Sequence, residues 1–389
     1  MREPLCPKYP GARLAMEVAE MNPRIAALNF ITCSLGADRR PDTLEKLRFE
    51  IAAGKPDWGS VVTMANLQFV TPALWVSLGD KGLAEMLPDD LKEYLEALHS
   101  LNADRNRNLK QQVVEAAGEL NGKGIEPVLL KGAAHLFTDT FGDPGARMMG
   151  DLDILIPGDR LKSCLDALQG LRYRTDENLK RRFADHHHFA PLFRPDAYAA
   201  IELHLDPVAP AAVPILPTET AWAHSRPLAV EGVRMRVLSP THRILHNILH
   251  SEIADHNHRR GLICLRQLHD LVATATRYVA EVEWRAIEEG MDRHGRSREL
   301  QAYLYLARRL FGLDVSPGGR PAFGSIVHYL RCHLGVRWAW FARGDFLLQR
   351  FSARRICRDY GCENTLLPVS IGRARYALYL VKKYTRRPV

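Results

Sequence analysis

No C-x-x-C pair occurs in this sequence, and its seven cysteines, an odd number, are scattered along it. Neither a disulfide framework nor a compact cysteine zinc module is expected from that usage, and a reducing cytoplasm is the expected home. The N-terminal stretch from Met1 to Cys6 lacks the apolar segment of a secretory leader. Long apolar runs are missing as well. The most apolar window, Val61 to Gly79, is interrupted by Asn66, Gln68 and Pro72, which suits buried helix and gives no transmembrane segment. With 46% of its 389 residues hydrophobic, the chain still has material for two or three domains and a sizeable core.

Against that background, Arg147-Met-Met-Gly-Asp151-Leu-Asp153-Ile-Leu-Ile156 sets two carboxylates two residues apart in a β-prone run. Side chains alternate across a strand, so Asp151, Asp153 and Leu155 share one face and Leu152, Ile154 and Ile156 the other. The apolar face belongs in a core. On the other face, two neighbouring carboxylates repel unless a cation sits between them, and paired hard oxygen ligands suit Mg²⁺ held together with a substrate phosphate. A solvated strand edge would carry the same spacing, so the flanking segments decide.

Upstream, Gly124 to Leu130 reads as a short buried strand that turns through Lys131-Gly132 into a helix-like run, Ala133 to Phe141. A glycine turn into a helix N-terminus presents free backbone N–H groups and the positive end of the helix dipole, which favour phosphate. Downstream, Ala199 to Leu205 alternates again, with Ile201, Leu203 and Leu205 on one face and Glu202 and His204 on the other. A third carboxylate thus stands on a second strand, where an ordinary amphipathic edge strand is the competing reading.

Taken together, Leu129-Leu130-Lys131-Gly132, Arg147-x-x-Gly150-Asp151-x-Asp153-Ile-Leu and Ile201-Glu202-Leu-His204 resemble the signature of the uncharacterised bacterial nucleotidyltransferase group of the DNA polymerase β-like superfamily. The resemblance follows the order of elements over roughly residues 55 to 310, although its specific motifs fill only about thirty positions. It implies that Gly132 is the phosphate turn, that Asp151 and Asp153 hold two Mg²⁺ ions, with Mn²⁺ as an alternative, and that Glu202 completes the metal site. The Gly-Ser turn usual in the superfamily is here Lys131-Gly132-Ala133, so a hydroxyl is absent and Lys131 offers a point charge to phosphate instead. Arg147 is expected to offset triphosphate charge or to flank the strand at the surface. Arg266 and Asp270, four apart on a helix within Leu265 to Leu271, would form a surface ion pair by spacing alone. An Arg-x-x-x-Asp-Leu helix recurs in the group, which implies that this helix closes over the nucleotide.

The histidines form a separate pattern. Asp185-His186-His187-His188-Phe189 starts a hairpin turning at Arg194 to Ala197, so that His187 or His188 faces His204. Such a pair beside Glu202 would bind phosphate, orient an acceptor or act as a base. His250, His256, His258 and His269 suggest zinc, but their spacings match no compact zinc pattern.

The expected fold class is α+β: a small mixed sheet flanked by N-terminal and C-terminal helical regions. Residues 1–121 form a helical cap, 122–238 the catalytic core, 239–315 a C-terminal helical region begun by Ser239-Pro240-Thr241, and 316–389 a basic, aromatic-containing helical tail. From Arg320 onward there are 14 Lys or Arg against three acidic residues, whereas the whole chain carries +8. That tail suits nucleic acid, an anionic membrane surface or an acidic partner, and a solvated helix would look the same. The expected reaction moves a nucleoside monophosphate from an NTP such as ATP to a hydroxyl or phosphate acceptor, with loss of pyrophosphate. A small molecule, peptide or protein acceptor is favoured, since no processive machinery is visible. The alternatives are a binding or regulatory protein that keeps the fold without turnover, and an RNA-end-modifying enzyme that uses the basic tail.

Overall fold

The computed structural model describes residues 22–36, 41–183, 187–315, 321–338 and 341. Among these it contains fifteen α-helices and one five-stranded sheet, the α+β class expected. Four helices, α1 (Pro23–Leu35), α2 (Pro41–Ala52), α3 (Trp58–Leu67) and α4 (Thr71–Asp80), precede the 34-residue α5 (Asp89–Gly122). Asn22 and Asp57 cap α1 and α3 by accepting from the backbone N–H groups of Arg24 and Ser60. The apolar window 61–79 is therefore two short helices, broken where Phe69 takes φ 56°. Among the described residues no helix is long and apolar enough to cross a membrane.

Helix α5 begins after Pro88 with Asp89 and Asp90 in its first turn, where the dipole favours them. Its inward stripe changes partners along its length. Leu91 and Leu95 join a helical core, whereas Leu109, Val113, Ala116, Ala117 and Leu120 line a second core against the sheet.

The chain then runs through β1 (Val128–Leu129), α6 (Lys131–His135), β2 (Asp151–Leu155), α7 (Leu161–Gly170), α8 (Glu177–Arg182), β3 (Ala200–His204), α9 (Thr218–Ala223), β4 (Ser225–Val230) and β5 (Val233–Leu238). The sheet order is β3-β2-β1-β5-β4. Strands β2 and β3 are parallel, as are β1 and β5, while β1/β2 and β4/β5 are antiparallel. The last hairpin turns at Glu231-Gly232 as expected, both residues having positive φ (53° and 80°), the conformation that tight two-residue hairpins need. One face of the sheet, with Leu129, Leu152, Ile154, Ile201 and Leu203, packs on α5 and α7. The other carries Val128, Leu155 and Leu238 into the helical core.

That core is completed by α10 (Pro240–Ile248), a π-helical turn (Leu249–Ala254), α11 (Asn257–Arg260), α12 (Leu265–Arg277), α13 (Trp284–Arg293), α14 (Ser297–Phe311) and α15 (Phe323–Arg337). Ser239 caps α10, and α14 stops at Gly312 in the left-handed region, both as the sequence suggests. The helix expected over 133–141 is shorter: α6 ends at His135, and Thr138, Thr140 and Gly142 turn the chain instead. Most of the basic tail, including the amphipathic segment Ile371 to Arg387, lies outside the described residues, as do Asp185 and His186.

Candidate functional site

Parallel pairing of β2 with β3 sets Asp153 opposite Glu202 and Leu155 opposite His204. Because alternate residues share a face, Asp151, Asp153, Glu202 and His204 all project from one side of the sheet. Lys131, at the turn from β1 into α6, completes the group. Its Nζ donates to Asp153 Oδ1 at 2.7 Å, and His204 Nε2 lies 2.8 Å from the same oxygen. The Leu130 N–H donates to the Asp153 carbonyl, which fixes the start of α6 against β2. Lys131 holds φ 43°, a left-handed conformation costing a residue with a side chain roughly 1–2 kcal/mol, and the buried ion pair offsets that strain.

Burial decides the electrostatics. Asp153 is 1% exposed, yet Lys131 and His204 overcome its desolvation and hold its carboxyl well below the usual range. Burial and the neighbouring Asp153 push Asp151 up. Glu202 is pushed up to about 7 by burial and by Asp153 and Asp151, with only Lys131 opposing. Lys131 therefore does not neutralise all three carboxylates. Asp153 Oδ2 is buried without a hydrogen-bond partner, and ligand atoms of Asp153, Glu202 and His204 lie within 4.8 Å of one another. An orphaned carboxylate oxygen among mutually repelling acids is a donor set that fits a hard divalent cation. The tight group contains His204 where the sequence reading had Asp151, which stands two residues along the same face.

A raised carboxyl pKa in the folded state makes stability fall with pH. Glu202 contributes fully below the ordinary value of 4.5, and that contribution is lost as pH rises through about 7. The change is on the order of 3 kcal/mol for a side chain 16% exposed. In chelator, melting temperature is expected to drop between pH 5 and 7.5, and Glu202→Gln to flatten that drop. An unchanged slope in the variant would assign the effect to other groups.

The histidine register is resolved: His188 bridges His204, and its Nδ1 lies 3.8 Å from Glu202 Oε2. His187 meets both rings edge-on, with centroids 5.0 and 5.2 Å away.

Arg147 and Asp270 come together, but with each other. Arg147 Nε and Nη2 donate to the two Asp270 oxygens at 2.8 and 2.7 Å, both side chains being nearly buried. The surface pair expected between Arg266 and Asp270 is thus replaced by a bidentate contact that ties the loop before β2 to α12. Arg266 instead lies over the Phe69 ring, acts on the charge of both Asp151 and Asp270, and keeps a buried Nε with no hydrogen-bond partner. Lys131, Arg147, Arg266 and Asp270 line one cavity of about 60 Å³ under α10 and α12. A larger concavity, about 490 Å³ beside Asp314, is lined by none of these residues, so chemistry and not volume points to the site.

Gly132 has a packing role that its sequence context did not disclose. A Cβ there would lie 2.6 Å from Arg147 Nη1 and 3.0 Å from Met149 Cβ. Gly132→Ala is expected to displace the Arg147 loop and cost about 1–3 kcal/mol; a melting temperature equal to wild type would show that the loop yields freely.

Sequence reasoning missed the residues that hold this loop. Asn102 and Asn106 on α5 donate to the carbonyls of Pro144, Gly145 and Arg147, and Arg105 donates to that of Met149 at 2.6 Å. Two asparagines one turn apart on the otherwise apolar face of a helix are the signal that could have found them.

A family model described as uncharacterised nucleotidyltransferase matches residues 54–312, well over half of the chain. No curated protein and no solved structure gives a significant match. The matched span contains the whole sheet, the carboxylate cluster and the Arg147–Asp270 pair, and on that extent the chain belongs to the uncharacterised nucleotidyltransferase family.

Proposed function

We propose that this protein is a Mg²⁺-dependent nucleotidyltransferase that moves a nucleoside monophosphate from an NTP to a hydroxyl or phosphate acceptor, with pyrophosphate leaving. The observation that carries this reading is the alignment of Asp153 with Glu202 on adjacent parallel strands, with Asp151 on the same face. These three carboxylates, with His204 beside them, would hold the metal. Two bound Mg²⁺ or Mn²⁺ ions supply charge stabilisation at the α-phosphorus and at the attacking and leaving oxygens.

The chain's own groups divide the remaining work. Lys131 keeps Asp153 ionised and turns a positive charge to the cleft beside α6, whose first-turn N–H groups at Lys131, Gly132 and Ala133 have no partner within the helix. Arg266, whose buried Nε has no hydrogen-bond partner and whose charge acts on Asp151, would offset triphosphate charge. Arg147 and Asp270, committed to each other, position that face of the cleft. Glu202, with His188 adjacent, would ligate the metal nearest the acceptor and help take the acceptor's proton. A small molecule, peptide or protein is the favoured acceptor class.

Calorimetry with the four NTPs in Mg²⁺, comparing wild type with Asp151→Asn/Asp153→Asn, tests the reading. Cation-dependent binding that disappears in the variant supports it and identifies the donor base. Failure of the wild type to bind any NTP with Mg²⁺ or Mn²⁺ would move a partner-binding role without turnover ahead of it.

A further inference from the structure

A second cluster of metal-ligating side chains lies in the helical core, apart from the carboxylates of the sheet. Glu252, His258 and His328 come from three different elements: the π-helical turn, α11 and α15. One ligand atom of each lies within 4.8 Å of the other two. The Glu252 side chain is 2% exposed, with Oε1 accepting from Ser251 at 2.8 Å. Its other oxygen, Oε2, is buried without a hydrogen-bond partner, and so is His258 Nδ1, 3.8 Å away. An acid and an imidazole aimed at one another across a gap too long for a hydrogen bond leave two desolvated polar atoms unsatisfied, a costly arrangement that a shared cation would relieve.

The surroundings orient the donors. His258 and His328 stack with ring centroids 4.4 Å apart and an interplanar angle of 14°, so a shared ion requires the rings to turn out of that stack until both in-plane lone pairs meet at it. Cys332, one turn along α15, sets its Sγ 3.4 Å from His328 Nε2 and so fixes that ring. Arg331 donates to the carbonyls of His258 and Arg259, pinning the short α11. The π turn itself, with the Asp255 N–H reaching back to His250 O, widens the helix at Glu252.

We infer that Glu252, His258 and His328 form a site for a borderline divalent cation of the zinc type, which fastens α15 to the π-helical turn. Two imidazoles and one carboxylate are a donor set that suits Zn²⁺, whereas Mg²⁺ prefers oxygen throughout. Three protein donors leave a fourth position, and His258 and His328 also line an open groove of about 360 Å³ with Arg298, Gln301 and Ser325. Water or a small ligand from that groove completes the coordination. The spacing hides the site in sequence because His328 is brought from far along the chain to residues in a different helix.

The test uses the full-length protein, stripped with chelator and reloaded with Zn²⁺ or Co²⁺. Wild type is expected to retain about one tightly held Zn²⁺ per chain and to melt at a higher temperature when loaded. Affinity should fall by at least about 100-fold in His258→Ala and His328→Gln and should persist in Glu202→Gln, which alters the sheet carboxylates. Absence of retained Zn²⁺ in wild type, unchanged affinity in both histidine variants, or loss only in Glu202→Gln would each overturn the proposal. Should the histidine variants fail to fold, proton NMR of the cobalt-loaded wild type decides. Paramagnetically shifted imidazole resonances from two histidines support the site; from none or from one, as His204 alone would give, they refute it.

Discussion

Asp151→Asn is expected to weaken cation-dependent NTP binding by at least about 100-fold while leaving the fold intact. Asp151 is only partly buried and acts on Lys131, Arg105 and Arg147 through its charge, so its replacement removes negative charge at less cost to the fold than a change at Asp153. Asp153→Asn has the same effect on binding but for mixed reasons. Asparagine at a position 1% exposed would leave the Lys131 ammonium and the His204 ring facing a neutral amide, and an uncompensated buried charge costs several kcal/mol. Calorimetric affinity and melting temperature measured together separate the two. If Asp151→Asn binds nucleotide as tightly as wild type in the same Mg²⁺, the carboxylate pair is not the metal site and the proposed reaction loses its centre.

The largest loss of stability is expected from breaking the Arg147–Asp270 pair. Arg147→Met leaves the Asp270 carboxylate buried beside His135 and His269, two imidazoles that burial holds well toward the neutral form. Removing one partner of such a pair costs about 3–5 kcal/mol. Asp270→Asn is its mirror and strands the guanidinium, which still donates to Met148 O at 3.3 Å. The double variant Arg147→Met/Asp270→Leu should lose clearly less than the sum of the single losses. Denaturant melts of the three proteins decide, and additive losses would mean that the two side chains stabilise independently.

Much of this architecture was legible because it rests on local periodicity. Alternation places Asp151 with Asp153 on one face of β2 and Glu202 with His204 on one face of β3, and the pairing of the two strands joins these faces. Ser239 and Gly312 marked helix ends through capping chemistry that acts over three or four residues. What stayed hidden depends on long-range partners. The spacing of Arg266 and Asp270 favoured a pair on one helix, but Asp270 is bound by an arginine 123 residues away. The identity of the histidine opposite His204 was a question of register, which two adjacent histidines leave open. Gly132 looked like a turn glycine, and its crowding by Arg147 and Met149 exists only after the loop has folded over it. His258 and His328 have no meaningful spacing until α15 lies against α11.

The parallel pairing of β2 with β3 also governs the order in which the molecule is assembled. A hairpin such as β4–β5 closes a two-residue loop and forms on the microsecond scale. His204, by contrast, must find Asp153 across 51 residues, and Gln112 must find the Ala199 carbonyl across 87. Closing such loops sacrifices chain entropy before any contact compensates for it, so these pairings form late. The carboxylates accordingly converge only near the end of folding, after the hydrophobic faces of the strands have docked. A nascent or partly unfolded chain therefore lacks the assembled carboxylate cluster, and cation binding at the proposed site would report completed folding.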